Sequence, residues 1–138
     1  MNVGYNTFMN LNMTIPQLAE KIGENLQVIA SPARLAILVA IGRGEACVCH
    51  LESILGWRQD YLSQHLMALR KADILQDRRE GRFVYYRLKD ERILALLRDA
   101  AALSGLEPQS VDTLANPDPG SNCECPHCSP ALIPLEKL

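Results

Sequence analysis

The sequence predicts a mainly α-helical fold that carries one β-hairpin, and three observations support this prediction. Apolar residues recur every three or four positions through residues 14–41, 48–72 and 93–103. Residues 74–88 instead contain a turn signal between two segments, the second of which is rich in aromatic and β-branched side chains. Residues 105–122 are rich in Pro, Gly, Asn, Asp and Ser, which is typical of a flexible linker.

Two helices are predicted on the N-terminal side. Thr14 can cap the first helix, and Pro16 fits its first turn because a proline loses no hydrogen bond there. Ser31 and Pro32 open the second helix in the same way, and Gly42 begins the segment that ends it. The apolar faces of the two helices comprise Ile15, Leu18, Ile22, Leu26 and Ile29, and then Leu35, Leu38, Val39 and Ile41.

A helix-turn-helix is predicted next, followed by the hairpin and a last helix. The third helix covers about residues 48–55 and ends at Gly56, and the fourth covers about residues 59–72. Glu80-Gly81 forms the turn of the hairpin, and helical spacing returns at residues 93–103. This order is that of a winged helix-turn-helix with extra N- and C-terminal helices, which we expect to mediate dimerisation. The apolar side of the fourth helix consists of Leu62, Leu66 and Leu69.

Length and composition indicate one globular domain with an extension. The chain has 138 residues, of which 48% are hydrophobic and 22% are charged. No apolar run approaches the roughly 18–20 residues that span a bilayer. Residues 1–12 do not resemble a signal peptide, so we expect a cytoplasmic protein. We predict a winged-helix domain at 1–104, a flexible linker at 105–122 and a cysteine-rich tail at 123–138.

Basic charge is concentrated in the middle of the chain. Residues 57–89 contain eight Lys and Arg against four Asp and Glu, whereas residues 105–138 contain one against five. The net charge of −2 therefore hides a basic region. A local basic surface is what contact with DNA phosphates requires.

The fourth helix and the hairpin carry the predicted DNA contacts. Gln and Ser side chains can donate and accept hydrogen bonds, and a Tyr can bond phosphate or pack on a thymine methyl. Arginines at the helix entrance and around the hairpin tip suit backbone phosphates or the minor groove. Polar helix faces are often simply solvated, so periodicity alone leaves DNA binding open. The predicted DNA-binding residues are Arg58, Gln59, Tyr61, Ser63, Gln64, Arg78, Arg79 and Arg82.

Three segments resemble the ArsR–SmtB family of metal-sensing bacterial repressors, in matching order and spacing. Residues 31–38 are similar to the start of that family's second helix, residues 59–72 to its recognition helix, and residues 79–86 to its wing. The resemblance implies a homodimer that represses genes of efflux or detoxification by binding operator DNA.

Arg58 and Asp73 differ from the residues that are usual in the ArsR–SmtB family, whereas His65 is part of the matching recognition-helix segment. Arg58 replaces a frequent capping Ser, and Asp73 replaces a helix-ending Gly, which weakens both caps without threatening the fold. His65 is expected to be a structural residue rather than a metal ligand.

Five cysteines lie in two clusters, Cys47 and Cys49 near the third helix and three more in the tail. Clustered cysteines in a cytosolic protein more often bind metal or sense redox state than form structural disulfides. Residues two apart in a regular helix point about 200° apart. Cys47 and Cys49 can therefore share an ion only at the helix N-terminus, where the backbone can turn both inward. The helix dipole also lowers the thiol pKa there.

Residues 45–51 resemble the cysteine-bearing helix start of arsenic- and cadmium-responsive family members. Thiophilic ions require three or four sulfurs, but this chain has Glu52 at the third position of the arsenic pattern and no Cys in residues 1–30. The missing ligands can therefore come only from the tail. A linker of about 18 flexible residues has an r.m.s. span of about 25 Å, which is enough to reach the third helix of its own subunit or of its partner. The predicted metal ligands are Cys47, Cys49, Cys123, Cys125 and Cys128, with His50 and His127 as spare candidates.

Several alternatives remain open. The inducer can be arsenite, cadmium, lead or zinc, and the site can lie within one subunit or between two. A disulfide between Cys47 or Cys49 and a tail thiol would give a redox-sensing repressor. The tail could instead be a structural zinc knuckle of an interaction module. No residues resemble a nucleophile–base pair, so an enzyme is not expected.

Overall fold

The computed structural model describes residues 12–120 and 123–128, and its order of elements confirms the predicted winged-helix architecture. The three strands form one antiparallel sheet in the order β1-β3-β2, in which β2 and β3 are the predicted hairpin. The described residues form the helices α1 (Ile15–Ile29), α2 (Pro32–Ile41), α3 (Val48–Leu55), α4 (Gln59–Lys71), α5 (Arg92–Leu103) and α6 (Ser110–Thr113) and the strands β1 (Ala46–Cys47), β2 (Leu75–Glu80) and β3 (Phe83–Leu88).

The helix ends follow the predicted capping residues. The Thr14 hydroxyl accepts from the Gln17 backbone N–H, and the Gln17 side chain accepts from the Thr14 backbone N–H, which completes a capping box at α1. Within the described residues, Arg58 makes no capping hydrogen bond at the start of α4. Asp73 adopts a φ of 66° just beyond α4, where a glycine would avoid the cost of the left-handed region.

One apolar core lies between the helices and the sheet. Its fully buried side chains come from α2, α3, α4, β2 and α5. The left-handed conformation of Gly56 (φ 69°) turns the chain from α3 into α4, so both helices pack on this core. The predicted core leucines of α4 are confirmed, since Leu62, Leu66 and Leu69 are buried.

Residues 105–120, in the predicted flexible linker, contain the short helix α6. Val111 of α6 is buried in the main core. Beyond α6 the chain crosses the end of α2, where a Cβ atom on Gly42 (φ 58°) would lie 2.8 Å from the Cβ of Ala115. The linker-like composition gave no sign that Val111 packs in the core or that Ala115 packs against Gly42. These contacts lead the chain back toward β1 and α3, while the boundaries of the linker remain a prediction.

Apolar side chains remain exposed on the two outer helices. Contiguous exposed apolar faces are typical of interaction surfaces. Among the described residues, no single helix has the length and apolar content to cross a membrane. The pair α1 and α2 passes the same test only together, with a bend of 79° between them. The exposed residues are Ile15, Leu18, Ile22 and Leu26 in α1 and Leu96 and Leu103 in α5.

Candidate metal site and nucleic-acid interface

Four cysteine sulfurs meet at the start of α3. The Sγ atoms of Cys47, Cys49, Cys123 and Cys125, here called the sulfur cluster, all lie within 4.8 Å of one another. The Cys47 Sγ is 3.1 Å from that of Cys49, 3.3 Å from that of Cys123 and 3.4 Å from that of Cys125. The tail thus returns to α3 of its own chain and places two of its sulfurs next to those of Cys47 and Cys49.

The local backbone explains why Cys47 and Cys49 face the same way. Cys47 is the N-cap of α3, with an extended backbone (φ −84°, ψ 168°), and its Sγ accepts a hydrogen bond from the His50 N–H at 3.4 Å. Cys49 lies in the first helical turn, so the two residues are not separated by the regular helical rotation. In addition, Cys47 pairs with Tyr85 across β1 and β3, which fixes it against the sheet.

Burial and neighbouring groups act in opposite directions on the pKa of two cluster thiols, Cys47 and Cys125. Burial raises the pKa of Cys47 to about 11, although the hydrogen bond from the His50 N–H acts in the opposite direction. Burial also raises the pKa of Cys125, but the neighbouring Cys128 and Tyr85 groups favour its thiolate and outweigh burial, so this pKa is below the ordinary value. A coordinated cation deprotonates a thiol outright. Ion binding would therefore release protons from the cluster.

Cys49 and Cys123 are joined as a disulfide in this structure. Their Cα atoms are 5.3 Å apart, a separation that a disulfide spans. Among the described cysteines, Cys47, Cys125 and Cys128 are free. Because thiolates are the metal ligands, only the reduced cluster offers all four sulfurs to an ion. The same contacts therefore fit the predicted metal site and the redox alternative.

Tyr85 covers the cluster from the sheet side. Its side chain is buried, and its hydroxyl has no partner of ordinary hydrogen-bond geometry among the described residues. The hydroxyl is nevertheless close enough to Cys125 to lower the pKa of that thiol. A buried O–H beside sulfur fits a thiolate acceptor, so the donor set suits a bound thiophilic ion.

His50 binds the tail and the linker to α3. Its Nδ1 is 3.1 Å from the Sγ of Cys128, and its Nε2 is 3.0 Å from the carbonyl oxygen of Pro117. A carbonyl only accepts, so Nε2 carries the proton and Nδ1 accepts from the Cys128 thiol. Burial lowers the pKa of His50, which favours this neutral ring. Cys128 thus lies outside the four-sulfur group, next to the spare ligand candidate His50.

Arg78, a predicted DNA contact, lies in an ion-pair network on the sheet. Its guanidinium donates two hydrogen bonds to Glu45, both at 2.8 Å, and one to Glu80 at 2.9 Å. It also lies 4.6 Å from the ring centroid of Tyr85. His127, the other spare ligand candidate, bonds Glu80 at 3.1 Å and packs edge-on against Tyr85. Sequence spacing could not reveal a pair such as Glu45 and Arg78, which lie 33 residues apart.

The other predicted DNA contacts are available on α4 and the hairpin, and only Ser63 among them is half-buried. Tyr61 is 45% exposed and packs edge-on against Trp57 and His65. The Nε–H of Arg34 donates to Nδ1 of His65 at 3.2 Å, which agrees with the predicted structural role of that histidine. The exposed predicted contacts are Arg58, Gln59, Tyr61, Gln64, Arg78, Arg79 and Arg82.

Comparisons with known proteins agree with this architecture. The sequence profile described as "Bacterial regulatory protein, arsR family" matches residues 31–77. The HTH-type transcriptional repressor SmtB of Mycobacterium tuberculosis is 35% identical over 89 residues, which cover 64% of this chain and 66% of that protein. The arsenic resistance transcriptional regulator ArsR1 of Pseudomonas putida is 51% identical over 59 residues, which cover 43% of this chain and 45% of the regulator.

A solved structure gives a comparison at the level of the fold. The crystal structure of the transcriptional regulator HlyU from Vibrio vulnificus superimposes with a TM-score of 0.58 at 34% identity, covering 64% of this chain and 93% of that one. The chain spans just under two thirds of the mycobacterial repressor's length and under half of that of the Pseudomonas regulator. The profile, the sequence relatives and the shared architecture agree, and the chain belongs to the arsR family of bacterial regulatory proteins.

Proposed function

We propose that the chain is a cytoplasmic, homodimeric repressor that binds operator DNA and releases it when a thiophilic ion binds its cysteines. The carrying observation is the sulfur cluster, whose four Sγ atoms lie within 4.8 Å of one another. Four thiolates suit a soft cation, and three suit arsenite or lead. The candidate ions are arsenite, cadmium, lead and zinc, with Cys47, Cys49, Cys123 and Cys125 as ligands and Cys128 as a further thiol.

Ion titration of the reduced protein tests this function. We expect one ion per chain, and a loss of DNA affinity of about 5–150-fold, the range of an allosteric coupling of 1–3 kcal/mol. The DNA is a duplex selected from a random library by the reduced, ion-free protein, and binding is followed by fluorescence anisotropy. If none of the four ions changes DNA affinity, the proposed function is wrong.

The DNA interface is tested by two substitutions. Gln64→Ala should weaken operator binding by about 1–3 kcal/mol and relax discrimination at one base position, because Gln64 is exposed on α4. Arg82→Ala should weaken specific and non-specific binding alike and lower the salt slope by about one, as expected for one phosphate contact. Footprints and salt titrations measure both effects. Two variants that behave like the parent would contradict the assignment of α4 and the hairpin as the DNA interface.

The proposed dimer uses the exposed apolar faces of α1 and α5. Leu96→Glu introduces a charge into this face, so sedimentation should show a monomer with much weaker operator binding. Leu106→Glu is the matched control, because Leu106 is also exposed but lies beyond α5. A parent protein that is monomeric at micromolar concentration would refute the dimer.

Redox sensing is the second candidate, favoured by the Cys49–Cys123 disulfide. In this reaction the two thiols form a disulfide and give up two protons and two electrons. Hydrogen peroxide takes these up and is reduced to two water molecules. Oxidation removes two of the four thiolates, so we expect peroxide-treated protein to bind cadmium much more weakly. If peroxide releases DNA while ions do not under reducing conditions, the redox function is the correct one.

A further inference from the structure

We propose that His127 is a positioning residue that transmits occupancy of the sulfur cluster to the wing, defined as β2, β3 and the turn between them. This inference rests on the proposed function and adds the route by which the ion acts on DNA. The route runs from the tail through Glu80 and Arg78 and does not require His127 to bind the ion.

The position of the His127 ring is set by the tail. His127 lies between Cys125, a cluster residue, and Cys128, and a hydrogen bond from the Cys128 N–H to the Cys125 carbonyl at 3.1 Å closes this short turn. The His127 ring projects onto the sheet, where its centroid is 4.8 Å from that of Tyr85. When Cys125 is held in the cluster, His127 is therefore held over the wing.

Glu80 connects the tail to the wing. Its Oε2 accepts from Nε2 of His127 at 3.1 Å and from Arg78 at 2.9 Å. Arg78 in turn is bound to Glu45, which lies two residues before Cys47. The contacts from His127 through Glu80 and Arg78 to Glu45, here called the circuit, begin and end two residues from a cysteine of the sulfur cluster. The circuit includes Glu80, the last residue of β2.

The consequence for DNA lies at the wing tip. Arg79 and Arg82 flank the hairpin turn and are exposed, in the place where wing arginines reach the minor groove or the phosphates. With the tail docked, His127 bonds Glu80, next to Arg79, and the Arg78 guanidinium lies on the carboxylates of Glu45 and Glu80. Ion binding therefore favours an arrangement of the wing in which the Arg78 side chain is not available to contact DNA.

The circuit is suited to mutation because its side chains are accessible. The side chains of His127 and Glu80 are 53% and 50% exposed, and such exposed pairs contribute little to folding stability. His127→Ala should therefore fold normally. His127→Gln retains an N–H donor of similar reach but is a poor substitute for an imidazole as a metal ligand. Glu124→Ala is the matched control, because Glu124 is an exposed tail residue directly before the turn that contains His127.

The experiment measures two quantities for each full-length, reduced variant: cadmium affinity from thiolate charge-transfer absorbance, and DNA affinity with and without cadmium. We expect cadmium to weaken DNA binding by about 5–150-fold in the parent and in Glu124→Ala, but by less than about threefold in His127→Ala. Cadmium affinity should stay within about threefold of the parent's in all variants, and His127→Gln should restore most of the response. Combining His127→Ala with Glu80→Ala should lose no more response than His127→Ala alone, because both act in one circuit.

Three results would overturn the inference. His127→Ala could retain the parent's full response, or it could lose cadmium affinity more than tenfold, which would make His127 a ligand. His127→Gln could also fail to restore the response. A parent protein that binds cadmium without releasing DNA is a different result, since it refutes the proposed function and this inference together.

Discussion

A chain that ends at Gly120 is expected to bind DNA about as tightly as the intact chain and to lose its response to ions. The residues of the main apolar core lie between Ile29 and Val111, so this truncation leaves the winged helix intact. It leaves only Cys47 and Cys49, which are two sulfurs short of a tetrahedral site and one short of a trigonal site. Ion affinity should therefore fall by orders of magnitude.

The matched control is a chain that ends at Ser129, which retains all five cysteines. It should bind ions and release DNA like the parent. Both chains are compared by ion titration of the protein–DNA complex under reducing conditions. Release of DNA from the shorter chain at the parent's ion concentration would show that the tail is dispensable and would falsify joint coordination.

The double substitution Cys47→Ser and Cys49→Ser is expected to give a repressor that no longer responds to ions. A serine hydroxyl is a good helix N-cap, so α3 should still form, but it is not a ligand for soft cations. The tail keeps its three thiols and should retain a weaker residual site. DNA binding should persist at ion concentrations that release the parent.

Cys128→Ser is the control for this double substitution, because it makes the same chemical change outside the four-sulfur group. Its effect on ion affinity should be smaller than that of the double substitution. A normal response of the Cys47→Ser, Cys49→Ser protein would instead locate the sensor in the tail alone.

The sequence predicted most of the fold because its signals are local. The caps at Thr14 and Ser31 and the leucine spacing in α4 depend on neighbours within four residues, and the structure confirms them. Strand β1 was not predicted, because two residues are too few to show a period of two and their partner Tyr85 is distant in sequence. Helix α6 was not predicted either, because its four residues lie in a segment of turn-forming composition.

The sequence indicated which side chains belong to the candidate site but not how they are arranged. Thiol clustering and the missing third ligand near α3 pointed to Cys123, Cys125 and Cys128 without fixing their positions. The structure adds that Cys128 contacts His50 and packs against the four-sulfur group without belonging to it. The contacts of Tyr85 and Glu80 with His127 could not be predicted, because they depend on how the tail turn packs on the sheet. Long-range side-chain contacts carry no local sequence signal.

Counting the sulfurs around bound cadmium tests joint coordination most directly. X-ray absorption at the cadmium edge is measured on the reduced parent, loaded with one ion per chain, and on the Cys47→Ser, Cys49→Ser protein. Joint coordination predicts four sulfurs in the parent and fewer in the variant, because two of the four ligands come from α3. An identical sulfur count and distance in both proteins would contradict it.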